Sequence, residues 1–171
     1  MNAYRDYKER NLLTKEEIMD AIHDRGRDNA RTPVQWSEDE HAGFTTGKPW
    51  IAVNPNYKEI NVEKAKEDKD SIYQYYKSLI KLRKTNPVIV YGNYQLHLAE
   101  DEKIYAYSRT LDDERLLVIC NFSDEKALFR LPTDITFQGK EVLISNYDID
   151  VNDDITSFYL RPYEARVYKL K

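Results

Sequence analysis

The sequence predicts a mixed fold, in which a helical and loop-rich first half is followed by an all-β antiparallel sandwich. Apolar residues recur at helical spacing in the first half, and this pattern ends near Pro87. Beyond it, short runs of β-forming residues alternate with polar turns, as is typical of a sandwich of short strands. We therefore expect two domains, residues 1–90 and residues 91–171.

The composition argues against several classes of partner. With 33% charged residues and a formal net charge of −4, the 171-residue chain lacks the basic excess that nucleic-acid binding requires. No apolar run approaches the roughly 20 residues of a membrane helix, and the polar N-terminus is unlike a signal peptide. The single cysteine, Cys120, has no second cysteine for an internal disulfide, which predicts a reducing, cytoplasmic location.

The first helix is predicted from its capping pattern. Thr14 and Glu17 have the spacing of a capping box, in which each side chain bonds the backbone amide of the other. A short apolar stripe follows, and Gly26 is well placed to end the helix. We expect a helix from Lys15 to Asp24, with the charged His23-Asp24 pair at its solvated end.

The segment from Arg27 to Trp36 is predicted to be a loop, because Pro33 removes a backbone donor and disfavours helical angles at the residue before it. It concentrates guanidinium, carboxylate and amide groups, and loops of this kind often carry binding sites. Residues 37–60 have no sustained periodicity. Three aromatic residues of this region serve either as packing anchors or as contacts for a bound ligand: Trp36, Phe44 and Trp50.

Residues 61–84 give the strongest helical signal, with aspartates near the start and basic residues near the end. The Asn86-Pro87 pair should end this helix. Four of its apolar residues are expected to face a core: Ile72, Tyr76, Leu79 and Ile80.

Seven runs in the second half are predicted to be strands: Tyr94–Leu98, Ile104–Arg109, Leu116–Phe122, Ala127–Leu131, Val142–Ile144, Thr156–Leu160 and Ala165–Leu170. The run from Leu116 to Ile119 is apolar on both faces, which predicts a central strand.

Several motifs of one enzyme family occur together in this sequence. They are RDNARTPVQW at 27–36, HAGFT at 41–45, PWIAVN at 49–54, NPNYKEINV at 54–62 and RPYEA at 161–165. Through these motifs the chain resembles the α-glucosidase branch of the α-amylase superfamily, glycoside hydrolase family 13. It is most similar to the oligo-1,6-glucosidases, with trehalose-6-phosphate hydrolases and dextran glucosidases as near alternatives. The resemblance implies that residues 1–90 are the end of a (β/α)₈ barrel and that the chain is the last third of such an enzyme.

The resemblance implies retaining hydrolysis at the non-reducing end of short oligosaccharides, with α-1,6-linked glucose as substrate and α-1,4-linked glucose as the second candidate. This chemistry needs a nucleophile and an acid carboxylate about 5 Å apart. The family's signatures for both are missing from this sequence. We therefore assign no catalytic residue here, and expect the parent enzyme to be active and this chain alone to be inactive.

What the resemblance assigns to this chain is substrate binding, by Arg27, Asp28 and Arg31. Arg27 matches the family's arginine that points into the pocket for the terminal glucose, where its fixed donor fork can span adjacent hydroxyls. Asp28 would orient Arg27 or accept a hydroxyl proton, and Arg31 would reach toward the neighbouring sugar. The alternative for all three is an internal salt-bridge cluster that braces the loop.

No cofactor or metal is expected, since the histidines lie far apart without ligand partners at useful spacing: His23, His41 and His97. The expected partners are the oligosaccharide, the rest of the catalytic barrel and a second copy of this chain; a nucleic acid or a membrane is not expected. The competing interpretation is a non-catalytic carbohydrate-binding or interaction sandwich. An exposed row of coplanar Tyr or Trp rings would favour it.

Overall fold

The structure is a computed structural model that describes residues 5, 9, 10 and 13–171. The chain divides into two compact units, Met1–Tyr73 and Gln74–Lys171, which are described separately. The division falls inside a helix, and the domain boundary between residues 90 and 91 stays a prediction.

The helical part of the described chain contains four α-helices: α1 (Lys15–Arg25), α2 (Val62–Glu67), α3 (Ile72–Thr85) and α4 (Pro87–Tyr91). The capping box predicted for α1 is confirmed, with Thr14 N donating to Glu17 Oε2 at 2.7 Å and Glu17 N donating to Thr14 Oγ1 at 3.2 Å. Hydrogen bonding from the backbone amide and the side chain of Thr14 to the Glu17 carboxyl holds the pKa of that carboxyl below its usual range. His23 and Asp24 lie exposed in the last turns of the helix, as expected.

The prediction of one continuous helix over residues 61–84 is wrong, because the chain leaves helical geometry between α2 and α3. Asp68 has extended angles (φ −75°, ψ 115°), and its side chain accepts the amide of Asp70 at 2.9 Å. Ser71 Oγ donates to the carbonyl of Ala65 at 2.5 Å. Short polar side chains that bond nearby backbone groups compete with the helix, and here they end α2 after Glu67.

The Asn86-Pro87 pair ends α3 as predicted, but Pro87 also begins α4, where proline is well suited to the first helical position. The free carbonyls of this short helix are bonded by Arg109 of the neighbouring sheet. The Arg109 guanidinium donates to the carbonyls of Val88, Val90 and Gly92 at 3.3, 3.3 and 2.7 Å. Val88 is fully buried, so α4 is anchored by both packing and hydrogen bonds.

All seven predicted strands are present: β1 (Asn93–His97), β2 (Ile104–Leu111), β3 (Glu114–Asn121), β4 (Ala127–Arg130), β5 (Lys140–Ser145), β6 (Ser157–Leu160) and β7 (Ala165–Leu170). They form a five-stranded antiparallel sheet in the order β1-β2-β3-β7-β5 and a two-stranded sheet of β4 and β6. Strand β3, which contains Leu116 to Ile119, is the centre of the larger sheet, and this prediction is confirmed.

The two sheets share one hydrophobic core, which confirms the predicted sandwich. Leu117, Ile119 and Tyr168 from the larger sheet cluster with Phe129 and Leu160 from the smaller one. All five side chains are at most 1% exposed. In the part of the chain that the structure describes, no helix has the length and apolar character needed to cross a membrane.

Candidate functional site

Arg27 and Asp28 lie on a 3₁₀ turn, Arg27–Ala30, which Gly26 separates from α1, and Arg31 is the residue that ends this turn. The side chains of Arg27, Asp28 and Arg31 are all exposed. Arg31 Nη1 approaches Asp28 Oδ1 at 4.0 Å, with the two side chains 51% and 73% exposed. An exposed pair at this distance contributes little stability. Arg27 forms no ion pair with any residue that the structure describes, which leaves its guanidinium available to a ligand.

The chain just after this turn is anchored by Gln35. Its Nε2 donates to Asn56 Oδ1 at 3.0 Å and to the carbonyl of Ile60 at 2.5 Å. The backbone carbonyl of Gln35 accepts the amide of Val62 at 2.9 Å, at the first turn of α2. The first amides of a helix have no partner within the helix, and the Gln35 carbonyl accepts one of those of α2. Gln35 thus bonds the start of α2 while its side chain anchors the loop to which it belongs.

Residues 36–44 form a tight turn around the carbonyl of Ala42. That carbonyl accepts the amides of Trp36 at 2.8 Å and Ser37 at 3.1 Å. His41, Ala42 and Gly43 all have left-handed angles, with φ of 53°, 59° and 62°. For the two non-glycine residues this conformation costs on the order of 1 kcal/mol each, and fully buried Ala42 shows that packing enforces it.

Asn61, at the start of α2, completes the hydrogen-bonded framework that Gln35 begins. Its Oδ1 accepts the amide of Lys64 at 2.9 Å, and its Nδ2 donates to the carbonyl of Tyr57 at 2.9 Å, with the residue 5% exposed. Lys64 Nζ in turn pairs with Glu38 at 2.6 Å and bonds the carbonyl of Lys58 at 2.5 Å. Residues 37–60, whose sequence has no sustained periodicity, are therefore ordered by hydrogen bonds between side chains and the backbone. Asn54 caps the 3₁₀ turn Pro55–Lys58 as Asn61 caps α2, and asparagine is a preferred residue at such positions.

The three aromatic residues of this region have much of their surface free. Trp36 is 52% exposed, Phe44 48% and Trp50 86%. Aromatic faces pack against the apolar C–H faces of other molecules, while guanidinium and carboxylate groups bond hydroxyls. Arg27 and Asp28 are thus the groups of this region that can bond hydroxyls, and the three aromatic residues are the ones that can offer an apolar surface.

The sandwich also carries a group of aromatic rings on β1, on β2 and just after β3, most of them exposed. Tyr94 and Tyr105 share a hydroxyl–hydroxyl bond of 2.9 Å. The rings are inclined to one another: 37° between Tyr94 and Tyr107, 50° between Tyr105 and Tyr107, and 75° between Tyr105 and Phe122. They do not form the coplanar row that would favour a separate carbohydrate-binding module.

The described residues contain no cluster of metal-ligating side chains. His97 is 6% exposed and bonds Ser108 Oγ through Nε2 at 2.9 Å, which makes it part of the packing between β1 and β2. Burial also raises the pKa of the Cys120 thiol, so this half-buried cysteine is protonated near neutrality.

Comparison with known proteins places this geometry in a family. Residues 2–92 match the family described as "Alpha amylase, catalytic domain", and residues 94–167 match "Maltogenic Amylase, C-terminal domain". The oligo-1,6-glucosidase of Parageobacillus thermoglucosidasius is 53% identical over all of this chain, which covers 30% of that enzyme. The oligo-1,6-glucosidase of Bacillus cereus is 52% identical, with 100% of the chain and 32% of the enzyme covered.

The fold is also that of a solved enzyme. The crystal structure of Bacillus licheniformis trehalose-6-phosphate hydrolase superposes with a TM-score of 0.90 and 48% identity, over 99% of this chain and 30% of that one. The chain thus spans about a third of the length of its relatives. Because the catalytic-domain family matches residues 2–92, more than half of the 171 residues, the chain belongs to the α-amylase family.

Proposed function

We propose that this chain is the C-terminal part of a retaining α-glucosidase of the oligo-1,6-glucosidase type. The parent enzyme would release glucose from α-1,6-linked short oligosaccharides at the non-reducing end, with α-1,4-linked glucose as the alternative substrate. The observation that carries the proposal is the 53% identity to an oligo-1,6-glucosidase over the whole chain. The enzyme would lie in the cytoplasm, in keeping with a single unpaired cysteine.

In the parent enzyme, the rest of the catalytic barrel would carry out the bond cleavage and this chain would contribute to substrate binding. The nucleophile and the acid carboxylate would come from the rest of the catalytic barrel, because the family's signatures for them are missing from this sequence. This chain would supply binding groups for the sugar and residues 91–171 as a separate C-terminal domain. On this division the isolated chain binds and positions but does not hydrolyse.

Arg27 would hold the terminal glucose by donating from its guanidinium to two sugar hydroxyls. Its exposed position without an ion-pair partner in the described chain supports this role over that of a brace. Asp28 would accept a hydroxyl proton, and Arg31, loosely paired to Asp28 at 4.0 Å, would reach the neighbouring sugar. The framework around Gln35 and Asn61 would keep the turn in place before the sugar arrives, which lowers the ordering cost of binding.

The role of Arg27 can be measured in a chimera in which this chain replaces the matching segment of the Parageobacillus thermoglucosidasius enzyme. We expect the chimera to hydrolyse isomaltose and p-nitrophenyl α-glucoside. A hydrogen bond to a charged group contributes about 1.5–3 kcal/mol, so Arg27→Ala should lower kcat/KM roughly ten- to two-hundredfold. Arg27→Lys should recover only part, because an ammonium lacks the planar fork.

Arg25→Ala is the matched control, since Arg25 is an exposed arginine of the last turn of α1, and it should keep the chimera's kcat/KM. If Arg27 is only a brace, Arg27→Ala should lower the Tm while turnover at low temperature stays normal. A stable Arg27→Ala chimera with unchanged kinetics removes Arg27 from the binding site.

A further inference from the structure

Exposed apolar side chains are frequent in this chain. They include the four residues of α3 that the sequence analysis expects to face a core: Ile72, Tyr76, Leu79 and Ile80. Folded proteins expose much apolar surface, so such residues say little by themselves. A charged side chain that is partly buried and has no partner is more informative, and the second unit contains one in Arg115.

Arg115 lies on the core side of the larger sheet, in the last row of its inner face. In the strand register it is opposite Thr110 of β2 and opposite Leu170 of β7. Residues opposite one another in antiparallel strands share a face of the sheet, and Leu170 belongs to the hydrophobic core. Arg115 therefore occupies the end of the core-facing surface, where it is half-buried.

The other buried or half-buried arginines of the second unit all have partners. Arg109 donates to backbone carbonyls, and Arg161 and Arg166 both pair with Glu164. The Arg115 side chain forms no hydrogen bond or ion pair with any residue that the structure describes. Its nitrogen atoms remain open to solvent, since no unpartnered side-chain nitrogen of the described half-buried residues is sealed. A guanidinium that is partly withdrawn from water without a partner favours a ligand that accepts its hydrogen bonds.

The surface beside Arg115 forms an open cleft of about 260 Å³. Pockets for drug-sized ligands are roughly 300–1,000 Å³, so this cleft suits a smaller molecule. Leu170, which is 4% exposed, contributes apolar surface to it. Four further side chains supply oxygen atoms that bond hydroxyl groups: Thr110, Asp112, Asp113 and Thr136.

Backbone hydrogen bonds fix both sides of the cleft. On one side, Asp112 and Asp113 form the two-residue turn that joins β2 to β3. On the other side, the loop before β5 is bonded to the end of β7. The amides of Gln138 and Gly139 donate to the carbonyl of Lys171 at 2.6 and 3.0 Å, and the amide of Lys171 donates to the carbonyl of Gly139 at 2.8 Å. A site that is ordered in advance lowers the cost of binding.

The charges that line the cleft favour a neutral ligand. Lys171 also lines it, but its ammonium group pairs with Glu141 at 3.2 Å. Arg115 is then the remaining cation of the lining, and it shares the cleft with the carboxylates of Asp112 and Asp113. These carboxylates would repel an anion such as phosphate, and the guanidinium would repel a cation. Sugar hydroxyls meet neither repulsion, because they accept hydrogen bonds from an arginine and donate them to carboxylates.

We propose that this cleft is a second saccharide site, which holds one sugar ring at the end of the sandwich. Hydroxyls of the sugar accept from the Arg115 guanidinium and donate to Asp112 and Asp113, and a C–H face of the ring contacts Leu170. Hydrogen bonds hold the ligand here, without the coplanar aromatic row of a separate carbohydrate-binding module. The site consists of residues of the second unit alone, and it goes beyond the proposed function, which concerns Arg27.

Nuclear magnetic resonance of the isotope-labelled 171-residue chain locates a bound sugar by the amides that it shifts. Glucose is the probe, and glycerol at equal concentration measures the general effect of a polyol on the solvent. We expect glucose to shift the amides of residues 110–115 and of Gly139 in a saturable way. The Kd should be about 1–10 mM, as for a small ligand in an open cleft. The amides of residues 27–31 report on the Arg27 site in the same spectra.

Two substitutions test the proposed contacts. Arg115→Met removes the guanidinium and keeps an unbranched side chain that suits a half-buried position beside the core. It should weaken glucose binding at residues 110–115 by about tenfold or more, because hydrogen bonds from a charged group are lost. Asp113→Ala removes an acceptor from an exposed turn, leaves the core unchanged and should weaken the same binding severalfold. If Arg115→Met does not fold, Asp113→Ala decides the question.

Arg130→Met is the matched control, because Arg130 is an exposed arginine of β4 that does not line the cleft. It should leave the glucose-induced shifts unchanged. The dispersion of each variant's amide spectrum shows whether its fold is kept.

Several results would overturn the inference. Glycerol shifts equal to those of glucose would show a solvent effect. Shifts with acetate or inorganic phosphate, but not with glucose, would assign the cleft to an anion. Glucose shifts confined to residues 27–31 would place sugar binding at the Arg27 site alone, and binding that both Arg115→Met and Asp113→Ala leave unchanged would exclude these contacts. The proposed function is tested separately, since an inactive chimera would leave this binding result standing.

Discussion

Different interactions stabilise each of the two units of this chain internally. Among the described residues of the first unit, the buried apolar side chains are those of Ile18, Pro33 and Ala42, and order comes from hydrogen bonds such as those of Gln35 and Asn61. The second unit has an eleven-residue buried cluster shared by two sheets. A unit with its own core can fold by itself, while one held by surface hydrogen bonds depends on neighbours to stay closed. This chain combines one unit that buries a shared hydrophobic core with one that is ordered mainly by hydrogen bonds.

The largest effect should come from Phe129→Ala in the second unit. Phe129 is fully buried, with its ring centroid 5.4 Å from that of Phe158. Its loss should lower the free energy of unfolding of this unit by about 3–5 kcal/mol. Both tryptophans, Trp36 and Trp50, lie in the first unit, and all seven strands lie in the second. In urea titrations, tryptophan fluorescence therefore follows the first unit alone, while far-UV circular dichroism also follows the second.

We expect Phe129→Ala to move the circular dichroism transition and to leave the fluorescence transition in place. Phe122→Ala is the control, because Phe122 is 69% exposed and should change either transition by less than about 1 kcal/mol. Equal shifts of both probes in Phe129→Ala would show that the two units unfold together, and would end the distinction drawn above.

A second, intermediate effect should depend on pH and come from Glu164. This carboxylate is fully buried and accepts from Arg161 N at 2.7 Å, Arg161 Nε at 3.1 Å and Arg166 Nε at 2.7 Å. Burial opposes its ionisation, but the hydrogen bonds from both arginines outweigh burial and lower the pKa of Glu164 below 4.5. Its stabilisation is therefore complete above that ordinary value and is lost as the pH falls through the lowered pKa.

Glu164→Gln should lower the free energy of unfolding by about 1.5–3 kcal/mol at neutral pH, the value of a hydrogen bond to a charged group. The difference from the unsubstituted chain should shrink in acid, as urea titrations at about pH 7 and about pH 3.5 would measure. Glu125→Gln, in the exposed pair with Lys103, is the control and should change stability little. A difference that stays constant with pH would mean that Glu164 acts by shape and not by charge.

The smallest effect should come from Gln35→Leu, and it should be local to the first unit. The substitution removes the two bonds from Nε2 to Asn56 and Ile60, for a loss of about 1–2 kcal/mol. Hydrogen exchange should quicken at the amides of Val62 and Glu63, which are bonded to the carbonyls of residues 35 and 36. The amides of β3 should exchange as slowly as before.

Gln95→Leu is the control for that measurement, because Gln95 makes an exposed bond of 3.3 Å to Asp134 in the second unit. It should leave the exchange of Val62 and Glu63 unchanged. If Gln35→Leu also left them unchanged, the framework would be held by its backbone bonds alone.

The sequence was sufficient where structure depends on local pattern. Seven strands, the central position of β3 and the capping box of Thr14 follow from alternation, apolar runs and cap spacing. It failed where short polar side chains compete with the backbone, as at Asp68, which divides a predicted helix in two. It also missed the turn at His41 and Ala42, since left-handed angles at non-glycine residues are imposed by contacts distant in sequence.

For the candidate binding residues, too, the sequence predicts only part of what the structure shows. The resemblance selects Arg27, Asp28 and Arg31. The structure puts the first two on an exposed 3₁₀ turn and Arg31 at its end, 4.0 Å from Asp28. Their role in sugar binding stays a prediction, because the carboxylates that would face them are outside this sequence. The anchoring function of Gln35 could not be inferred from the sequence, since its partners are 21 and 25 residues away.

The strand order of the larger sheet has a consequence for how the protein is made. Strand β7 follows all other strands in sequence, yet it lies between β3 and β5, and β5 has β7 as its neighbour in the sheet. During translation, β3 and β5 therefore emerge from the ribosome with unpaired edges. Unpaired edges invite aggregation and proteolysis. A nascent chain stopped before Ala165 would keep these edges open, so the ribosome must complete β7 before the sheet can close.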